Sequence, residues 1–459
     1  MIHRYQKKGL NFVLDVNSGA VHLLDDISYA VSGLLDENMG DTCPQSIIDA
    51  LPDYIADEIR EAYDELYELK KAGQLFAQDD YIDVSRYIPV NAPVKALCLH
   101  VAHDCNLRCK YCFASTGDFG QGRKIMPPEI AKKAIDFVIA RSGVRHNIEV
   151  DFFGGEPLMA WDTVTQTVDY ARSLEEKYNK KFRFTITTNG LLLDEDKRKY
   201  INENMDNCVL SLDGRREVND EFRKTVAGTG SYDTIVPKFK ALVDERDPNL
   251  DYYALGTFTS HNLDFAEDVL SIADAGFDRL SVEPVTADPG CGYDLTEDDL
   301  PKIEAEYDRL TDIMLERKKE GKPFTFFHFM VDLDQGPCVV KRLRGCGAGY
   351  EYVAVTPDGD IYPCHQFVGK DEFKQGSVLD QSFNMDIAQK FAGMNIYSRP
   401  KCQKCWAKFY CSGGCSAANY NMNHDMNDSY DLGCEMERKR LECAIYLKAM
   451  DKICANQSK

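Results

Sequence analysis

Three cysteines within one short segment constrain this chain more than any other feature of its sequence. Cys105, Cys109 and Cys112 lie in the segment HDCNLRCKYCFA, directly after the apolar run at residues 96–101. The spacing predicts three thiolates on one loop at the end of a buried strand. A cubane iron–sulfur cluster has four irons, so three protein ligands would leave one iron open to a substrate or cofactor. The alternative is structural zinc, although zinc sites usually pair one CxxC with a second CxxC or with histidines.

The composition indicates a large, acidic protein with a sizeable core. The 459 residues predict about two to four domains, and 44% of them are hydrophobic. A formal charge of −21 argues against nucleic acid as the main ligand, because phosphate backbones are bound by basic clusters. No apolar stretch approaches the roughly 20 residues of a membrane span, and no secretory signal is recognisable. The 17 cysteines, at metal-like spacings, therefore predict metal ligation in a reducing cytoplasm rather than disulfides.

Residues 1–88 are predicted to form a small α+β module. Apolar runs at 12–16 and 20–24 flank an Asn-Ser-Gly turn, which indicates a hairpin, and two helical segments follow. The clearer helix, at 53–72, places on one face Ile55, Ile59, Ala62, Tyr63, Leu66 and Leu69. This pattern suggests a winged-helix-like module, but its excess of acidic residues disfavours DNA binding. Peptide docking by strand addition is the better hypothesis, and a purely structural extension is the alternative.

The middle of the chain, residues 93–325, alternates strand-like with helical segments. The predicted strands lie near residues 96–101, 148–153, 182–187, 207–212, 252–258 and 279–284. Six such units predict an α/β fold, a partial (β/α)6 barrel whose chemistry gathers at the carboxyl ends of the strands. Residues 79–92 are interpreted as a linker before the barrel. Cysteine- and glycine-rich loops mark a third region at 336–459.

Two polar motifs follow predicted strands of the barrel. Gly154 and Gly155, in FGGEP, let the backbone approach a ligand, and their carbonyls can accept hydrogen bonds from an ammonium group. Alone, this string is equally well a strand-to-loop turn. Asn189, in TTNG, is a candidate ribose or adenine contact, although Asn-Gly is also ordinary turn chemistry.

Further candidate ligand contacts follow the fourth and sixth strands. A serine hydroxyl and a guanidinium, Ser211 and Arg223, suit a cofactor carboxylate, whereas a surface salt bridge is the alternative for the arginine. Asp213 is a candidate ribose contact. Val282 is a candidate adenine contact, and packing explains it equally well.

A second cysteine array lies in the C-terminal region. Its members are Cys346, Cys364, Cys402, Cys405, Cys411, Cys415 and Cys434, with the spacing CxxCx5Cx3C from the third to the sixth. A pair of zinc sites is the alternative to iron–sulfur ligation, because CxxC is also zinc chemistry.

These motifs together resemble radical S-adenosylmethionine (SAM) enzymes that carry a SPASM extension. In that family the amino and carboxylate groups of SAM chelate the open iron of the three-cysteine cluster. The chain is most similar to the SCIFF group of thioether-forming peptide maturases. The similarity lies in GPCVVKRLRGCGAGY at 336–350, IYPCHQF at 361–367 and CWAKFYCSGGC at 405–415.

The resemblance implies SAM and three [4Fe–4S] clusters. The first would be held by Cys105, Cys109 and Cys112, and a fully ligated auxiliary cluster by Cys402, Cys405, Cys411 and Cys434. Cys346, Cys364 and Cys415 would hold the other auxiliary cluster, with either Cys338 or a substrate thiolate as the fourth ligand. The SAM contacts implied are Gly154, Gly155, Glu156, Asn189, Ser211, Asp213, Arg223 and Val282, with Tyr111 packed beside the cofactor.

The activity implied is thioether crosslinking of a cysteine-rich precursor peptide by a 5′-deoxyadenosyl radical. The N-terminal module would bind the peptide's leader, and a flavodoxin- or ferredoxin-type protein would donate electrons; neither nucleic acid nor membrane is implied. Sulfatase maturases carry a catalytic aspartate where this chain has His365, and this difference disfavours a sulfatase-maturase activity. His365 is either a base for the substrate thiol or a hydrogen-bond partner of the cluster. Another radical peptide modification, carbon–carbon linkage or formylglycine formation, and a non-catalytic iron–sulfur or zinc protein remain the alternatives.

Overall fold

The fold is built on two β-sheets, one of three strands and one of twelve. The computed structural model describes residues 1–85, 92–333 and 339–457, and these counts refer to them. The strands of the small sheet are β1 (Ile2–Lys7), β2 (Leu10–Asp15) and β3 (Val21–Leu24). The strands of the large sheet are β4 (Ala96–His103), β5 (Lys124–Ile125), β6 (Asn147–Gly154), β7 (Lys181–Thr188), β8 (Asn207–Ser211), β9 (Asp251–Phe258), β10 (Arg279–Pro284), β11 (Thr325–Phe326), β12 (Tyr352–Val355), β13 (Asp360–Tyr362), β14 (Gly376–Ser377) and β15 (Ser382–Phe383).

Helices surround both sheets. Those before and within the barrel are α1 (Asp26–Ser32), α2 (Gln45–Ala50), α3 (Ala56–Lys71), α4 (Ile82–Ser85), α5 (Pro128–Arg141), α6 (Trp161–Tyr178), α7 (Glu195–Asn204), α8 (Arg216–Phe222), α9 (Tyr232–Asp244), α10 (Phe265–Asp274) and α11 (Leu300–Lys319). Those of the C-terminal region are α12 (Val339–Arg344), α13 (Met385–Gly393), α14 (Pro400–Gln403), α15 (Lys408–Cys411), α16 (Ser416–Asn423) and α17 (Asp431–Gln457). No helix within the described ranges has the length and apolar character to cross a membrane.

The N-terminal hairpin forms as predicted, with Asn11 of β2 opposite Leu24 of β3. Its sheet has an additional strand, β1, whose polar residues give no strand signal and which pairs antiparallel with β2. The predicted helix is α3, and it buries Ile59, Ala62, Tyr63 and Leu66. Ile55 does not share that face: it precedes the first turn with extended backbone and is 64% exposed.

The N-terminal sheet packs against the C-terminal helix α17. Tyr5 and Phe12 lie in one apolar cluster with Ile445 and Tyr446. Asp308 on α11 accepts hydrogen bonds from Lys7 of β1 and, at 2.7 Å, from Lys439 of α17. One carboxylate therefore connects three regions that are far apart in sequence.

The barrel has the predicted parallel strand order. β4, β6, β7, β8, β9 and β10 are neighbours in chain order, and each overlaps its predicted range. Phe152 and Phe184 stack across β6 and β7 in the core, with ring centroids 5.7 Å apart. α5 and α6 pack on the outside of these strands. The carboxyl ends of the strands therefore share one face, as the prediction requires.

One strand of the C-terminal region extends the barrel sheet. β12 pairs parallel with β4, with Val353 opposite Leu97, and β13, β14 and β15 continue antiparallel from it. The sequence does not indicate this pairing, because the two strands lie about 250 residues apart and β12 has four residues.

The predicted linker at 79–92 is anchored at its start. Asp79 accepts a hydrogen bond from Nζ of Lys408 at 2.9 Å and another from the hydroxyl of Tyr397. Residues 86–91, and with them the predicted boundary at 88, lie outside the described residues, as do Cys338 and the boundary at 336.

Candidate functional site

The three-cysteine loop begins two residues after β4 and is shaped by its own backbone. The amide of Cys105 donates to Oδ1 of Asp104 at 2.8 Å, and the amide of Leu107 points at the Cys105 sulfur at 3.4 Å. Cys112 closes the turn by donating its amide to the carbonyl of Cys109 at 3.2 Å. Burial raises the pKa of Cys105 and of Cys109 to about 12. Thiolates at these positions therefore need positive charge beside them, which metal ligation supplies.

A cavity of about 470 Å³ opens above this loop at the carboxyl ends of the barrel strands. Its volume is in the range of small-molecule sites. The candidate residues that line it are Cys105, Cys109, Tyr111, Cys112, Gly154, Gly155, Glu156, Asn189, Ser211, Arg223 and His365. The structure thus brings together motifs that are spread over 260 positions of the sequence.

The two glycines of FGGEP form a cradle that no side chain fits. Gly154 has a φ of +125°, and a Cβ there would lie 2.2 Å from the carbonyl oxygen of Ala102. A Cβ on Gly155 would lie 2.2 Å from the carbonyl oxygen of Asp104. β6 therefore ends in direct backbone contact with the segment that precedes the cysteine loop. A ligand in the cavity can approach this backbone closely.

Glu156 acts on the protein rather than on the cavity contents. It is 1% exposed, and its carboxylate accepts from the Thr188 hydroxyl at 2.7 Å, the Asn189 amide at 2.8 Å and the Leu158 amide at 3.1 Å. Burial raises its pKa to about 7 despite these donors. Its partners fix Asn189, whose side-chain amide donates to Oδ1 of Asn106 at 2.8 Å. We therefore assign Glu156 to positioning Asn189 within the cavity wall.

Asp213 likewise faces its neighbours and does not line the cavity. It is completely buried; Oδ1 lies 3.0 Å from Nε of Arg223 and Oδ2 accepts from the hydroxyl of Tyr111 at 2.6 Å. The amide of Thr257 also donates to Oδ1 at 3.1 Å. Burial opposes the guanidinium charge, but the Asp213 carboxylate raises the pKa of Arg223 overall. Asp213 thus orients the arginine that lines the cavity, instead of presenting a carboxylate to a ribose.

Val282 is fully buried in the apolar core of the barrel and does not line the cavity. The next residues, Glu283, Pro284 and Val285, line it instead. These residues lie at and just beyond the carboxyl end of β10, where the cavity opens, whereas Val282 lies deeper in the strand. Val282 therefore packs in the core instead of facing the cavity.

His365 lines the same cavity from the C-terminal region. Its ring centroid lies 5.0 Å from that of Phe153 and 5.5 Å from that of Phe113. Its Nδ1 lies 3.3 Å from the hydroxyl of Tyr352. Burial lowers the pKa of His365 to about 4, so the imidazole is neutral near pH 7.

Four of the C-terminal cysteines line one cavity of about 310 Å³: Cys402, Cys405, Cys411 and Cys434. They are the four that the family resemblance assigns to the fully ligated auxiliary cluster. Burial raises the pKa of Cys411 to about 12 and that of Cys434 to about 11.

The remaining C-terminal cysteines form a second set. Burial is the largest cause that raises the pKa of Cys364, followed by the nearby thiols of Cys415 and Cys346. Those three are therefore close enough to interact, as the family's other auxiliary cluster requires. Cys338, the predicted fourth ligand, lies outside the described residues.

The donor sets suit iron–sulfur clusters in ligand type and number. Four cysteines, Cys402, Cys405, Cys411 and Cys434, line one cavity, and cysteine thiolates are the ligands that iron–sulfur clusters take. Among the residues that the structure describes, no three His, Cys, Asp or Glu side chains converge closely enough to ligate a single metal ion.

A third cavity, next to both cysteine sets, shares lining residues with the 470 Å³ cavity. It has a volume of about 310 Å³ and is lined by Cys411, Cys415 and Cys434 on one side and by residues 283–286 on the other. Residues 283–286 also line the 470 Å³ cavity. The end of β10 and the two residues that follow it therefore lie between the three-cysteine loop and the C-terminal cysteines.

Sequence reasoning missed two residues that shape the site. A Cβ on Gly117 would lie 2.6 Å from the Cβ of Cys105, and its φ is +99°; a glycine five residues after a metal-like motif was the available signal. Tyr352 reaches His365 only because β12 joins the barrel sheet, and no local pattern reveals that contact.

Comparisons with known proteins agree with this architecture. The family model described as "Radical SAM superfamily" matches residues 99–269, and the one described as "Iron-sulfur cluster-binding domain" (SPASM) matches residues 346–406. The cysteine-type anaerobic sulfatase-maturating enzyme of Clostridium novyi is 25% identical over 354 residues, which cover 72% of this chain and 90% of that protein.

Solved structures show the same fold. The structure of anSMEcpe with bound AdoMet and the Kp18Cys peptide superposes with a TM-score of 0.63 at 21% identity, over 78% of this chain and 99% of that one. Streptococcus suis SuiB bound to its precursor peptide SuiA superposes with a TM-score of 0.52 at 16% identity, over 93% and 97% of the two chains.

Proposed function

We propose that this chain, a radical SAM protein with a C-terminal SPASM iron–sulfur domain, installs thioether crosslinks in a cysteine-rich, ribosomally made precursor peptide. The observation that carries the proposal is the shared wall at residues 283–286. A peptide that lies along this wall contacts the SAM cavity and the cysteines of the auxiliary sets at once. Two neighbouring sites of this kind suit a reaction that joins a cysteine sulfur to a carbon.

The site residues would hold SAM by its two charged groups. Carbonyls of Gly154 and Gly155 accept hydrogen bonds from its ammonium group, while Arg223 and Ser211 bind its carboxylate. When bound at Cys105, Cys109 and Cys112, the cluster and SAM supply homolytic chemistry that removes hydrogen from a carbon. The protein's part is to place the target carbon and to exclude water. Phe113, Phe153 and Tyr111 provide the apolar lining for that purpose.

His365 accepts the proton of the substrate thiol in this proposal. Its Nδ1 lies 3.3 Å from the Tyr352 hydroxyl, and we assign the Nδ1 hydrogen to a hydrogen bond donated to that oxygen. This tautomer leaves Nε2 as the acceptor for the thiol hydrogen. Because burial lowers the pKa of His365 to about 4, the substrate thiol would have to be made more acidic, as ligation to a cluster would do, for its proton to transfer.

The N-terminal module binds the leader of the peptide substrate. β3 is an edge strand, paired only with β2 among the described residues, so it offers a row of backbone groups to an extended segment. The excess of acidic residues in this module disfavours DNA as the ligand of the edge strand, because DNA is bound by basic residues. An electron carrier of the flavodoxin or ferredoxin type supplies the electrons, and the exposed thiols call for a reducing cytoplasm.

Formylglycine formation is the second candidate, because curated relatives at 25% identity are sulfatase-maturating enzymes. Both reactions start from SAM cleavage and differ in the product. His365 in place of an aspartate favours crosslinking, since the family's formylglycine chemistry uses a carboxylate base there.

Co-expression with a short cysteine-rich peptide, followed by mass spectrometry, separates the candidates. A thioether removes two hydrogens per link and makes that cysteine resistant to thiol alkylation, whereas formylglycine creates an aldehyde that a hydrazide captures. The matched control is the triple variant Cys105→Ala, Cys109→Ala, Cys112→Ala, which should lose about four of about twelve irons and all product. Absence of 5′-deoxyadenosine from the fully reconstituted, reduced enzyme would refute radical catalysis altogether.

A further inference from the structure

Arg399 is a buried arginine without a carboxylate partner in the described part of the chain. It is 2% exposed, and it makes no ion pair with any described aspartate or glutamate. Its Nε is buried and has no hydrogen-bond partner among the described residues. A buried guanidinium is costly unless an anion compensates it, so its environment must supply negative charge of another kind.

Arg399 forms hydrogen bonds to and beside the loop that joins the two auxiliary cysteine sets. Its Nη1 donates to the carbonyl of Gly413 at 2.8 Å, and its Nη2 donates to the hydroxyl of Ser416 at 2.9 Å. The loop at 411–415 begins with Cys411 of the first set and ends with Cys415 of the second. The arginine therefore lies where one short segment carries a ligand of each cluster.

The loop leaves room for the guanidinium. Gly413 has a φ of +88°, and a Cβ there would lie 2.1 Å from Nη1 of Arg399. Only glycine at this position permits both the turn and the close contact. The contact is thus built into the backbone path of the loop.

The cysteines of both sets interact electrostatically with Arg399. Burial lowers the pKa of Arg399, while Cys402, Cys411, Cys415 and Cys346 act in the opposite direction. Two of these thiols belong to each set.

Two other cations beside the first set are already paired. Arg438 forms an ion pair with Glu435, and Lys408 forms one with Asp79 at 2.9 Å. Arg399 is therefore distinct from them in having only cysteine sulfur as its source of negative charge within the described residues.

We propose that Arg399 is a shared counter-charge for the two auxiliary clusters, which raises the reduction potential of both. A fixed positive charge stabilises the more negative, reduced form of a nearby cluster, and the effect is large where water is excluded. The inference assumes the auxiliary ligation proposed above but not the peptide substrate. It makes Arg399 a positioning residue that sets where the surplus electron can go.

Potentiometric titration followed by electron paramagnetic resonance, on the reconstituted holoenzyme without peptide, tests this role. We expect Arg399→Met to lower the midpoint potentials of both auxiliary clusters. The cluster whose spectrum responds to added SAM should keep its potential and serves as an internal reference. Arg399→Lys retains the charge and should keep auxiliary potentials close to those of the unmodified enzyme.

Lys404→Gln is the matched control, because Lys404 lies beside Cys405 but is exposed, so solvent screens its charge. It should shift the potentials much less than Arg399→Met does. Unchanged auxiliary potentials in an Arg399→Met enzyme of full iron content would overturn the proposal. If Arg399→Met loses iron, the Arg399→Lys enzyme decides the question. Full iron content and auxiliary potentials like those of the unmodified enzyme in Arg399→Lys would support the role of the charge. Loss of iron in both variants would overturn the proposal. Failure of peptide crosslinking alone bears on the substrate and leaves these potentials unaffected.

Discussion

The hydroxyl of Tyr352 lies 3.3 Å from Nδ1 of His365, and this contact joins β12 to the wall of the SAM cavity. Tyr352 sits in the strand that extends the barrel sheet, whereas His365 follows Cys364 directly. The strand therefore places a hydrogen-bond partner that orients the imidazole.

Tyr352→Phe should uncouple radical formation from product formation. Loss of one hydrogen bond, worth about 1 kcal/mol, frees the imidazole to rotate, so crosslinked product should fall about fivefold. SAM cleavage to 5′-deoxyadenosine should persist, because the SAM contacts are untouched. Tyr362→Phe is the control, since among the described residues the hydroxyl of this buried tyrosine has only a long hydrogen bond, 3.5 Å from the amide of Gln121. Equal losses in both variants would contradict a specific role for Tyr352.

Gly155→Ala should damage the SAM cavity. The new Cβ would lie 2.2 Å from the carbonyl oxygen of Asp104 and 2.8 Å from that of Gly117, and backbone atoms cannot move aside cheaply. We expect a destabilisation of about 1–3 kcal/mol together with weaker SAM binding, measured by chemical denaturation and equilibrium dialysis. Gly40→Ala, where nothing lies within 4 Å of the added Cβ, should change neither. Wild-type SAM affinity in Gly155→Ala would argue against the cradle.

Arg223→Lys should weaken SAM binding while leaving the fold intact. Lysine keeps the charge but cannot present a planar fork to a carboxylate while it also contacts Asp213. Loss of about 1.5–3 kcal/mol of charged hydrogen bonding corresponds to an increase of the SAM dissociation constant of about tenfold to a hundredfold. Arg198→Lys, at a helix surface where the arginine pairs with Glu245 at 2.8 Å, is the control and should bind SAM normally.

Asp308→Asn should loosen the N-terminal module from the rest of the protein. Burial opposes ionisation of Asp308, but hydrogen bonds from Lys439 and Lys7 outweigh it and lower its pKa below 3.8. A carboxyl whose folded pKa is lowered stabilises the fold above its unfolded value, and that stability is lost as the pH falls through the lowered value. At neutral pH we expect a loss of about 1 kcal/mol, because the carboxylate is about a third exposed and solvent screens it.

Limited proteolysis of residues 1–85 and urea unfolding of cluster-free protein would measure this effect. The difference between Asp308→Asn and the unmodified protein should shrink in acid below pH 3.8. Asp312→Asn removes an exposed partner of Lys8 from the same helix and should have little effect at any pH. If the stability difference between Asp308→Asn and the unmodified protein grew in acid, the predicted direction of the pH dependence would be wrong.

The sequence predicts the barrel well because periodicity is a local property. Runs such as residues 148–153 alternate fully buried and partly buried positions, and the structure places β6 at Asn147–Gly154. The three-cysteine loop, GGEP and Arg223 reach one cavity because each follows a strand of the same parallel sheet. Topology alone converts those separate motifs into a site.

The failures of prediction concern strand register, the start of a helix and contacts between residues far apart in sequence. Val282 points into the core because the register of β10 decides its face, and Asp213 is consumed by Arg223 and Tyr111. Ile55 keeps the helical period but precedes the helix. Arg399 carries no motif, since its environment is made by a loop that begins 12 residues later. Composition and spacing contain none of this information.

The pairing of β12 with β4 has a consequence for any attempt to divide the protein. β4 leads into the three-cysteine loop and β12 lies between Cys346 and Cys364, so one hydrogen-bonded ladder joins the two cysteine-bearing regions. A cut in the chain that separated the two regions would leave an unpaired strand edge on each fragment. We therefore do not expect either fragment to behave as an independent domain.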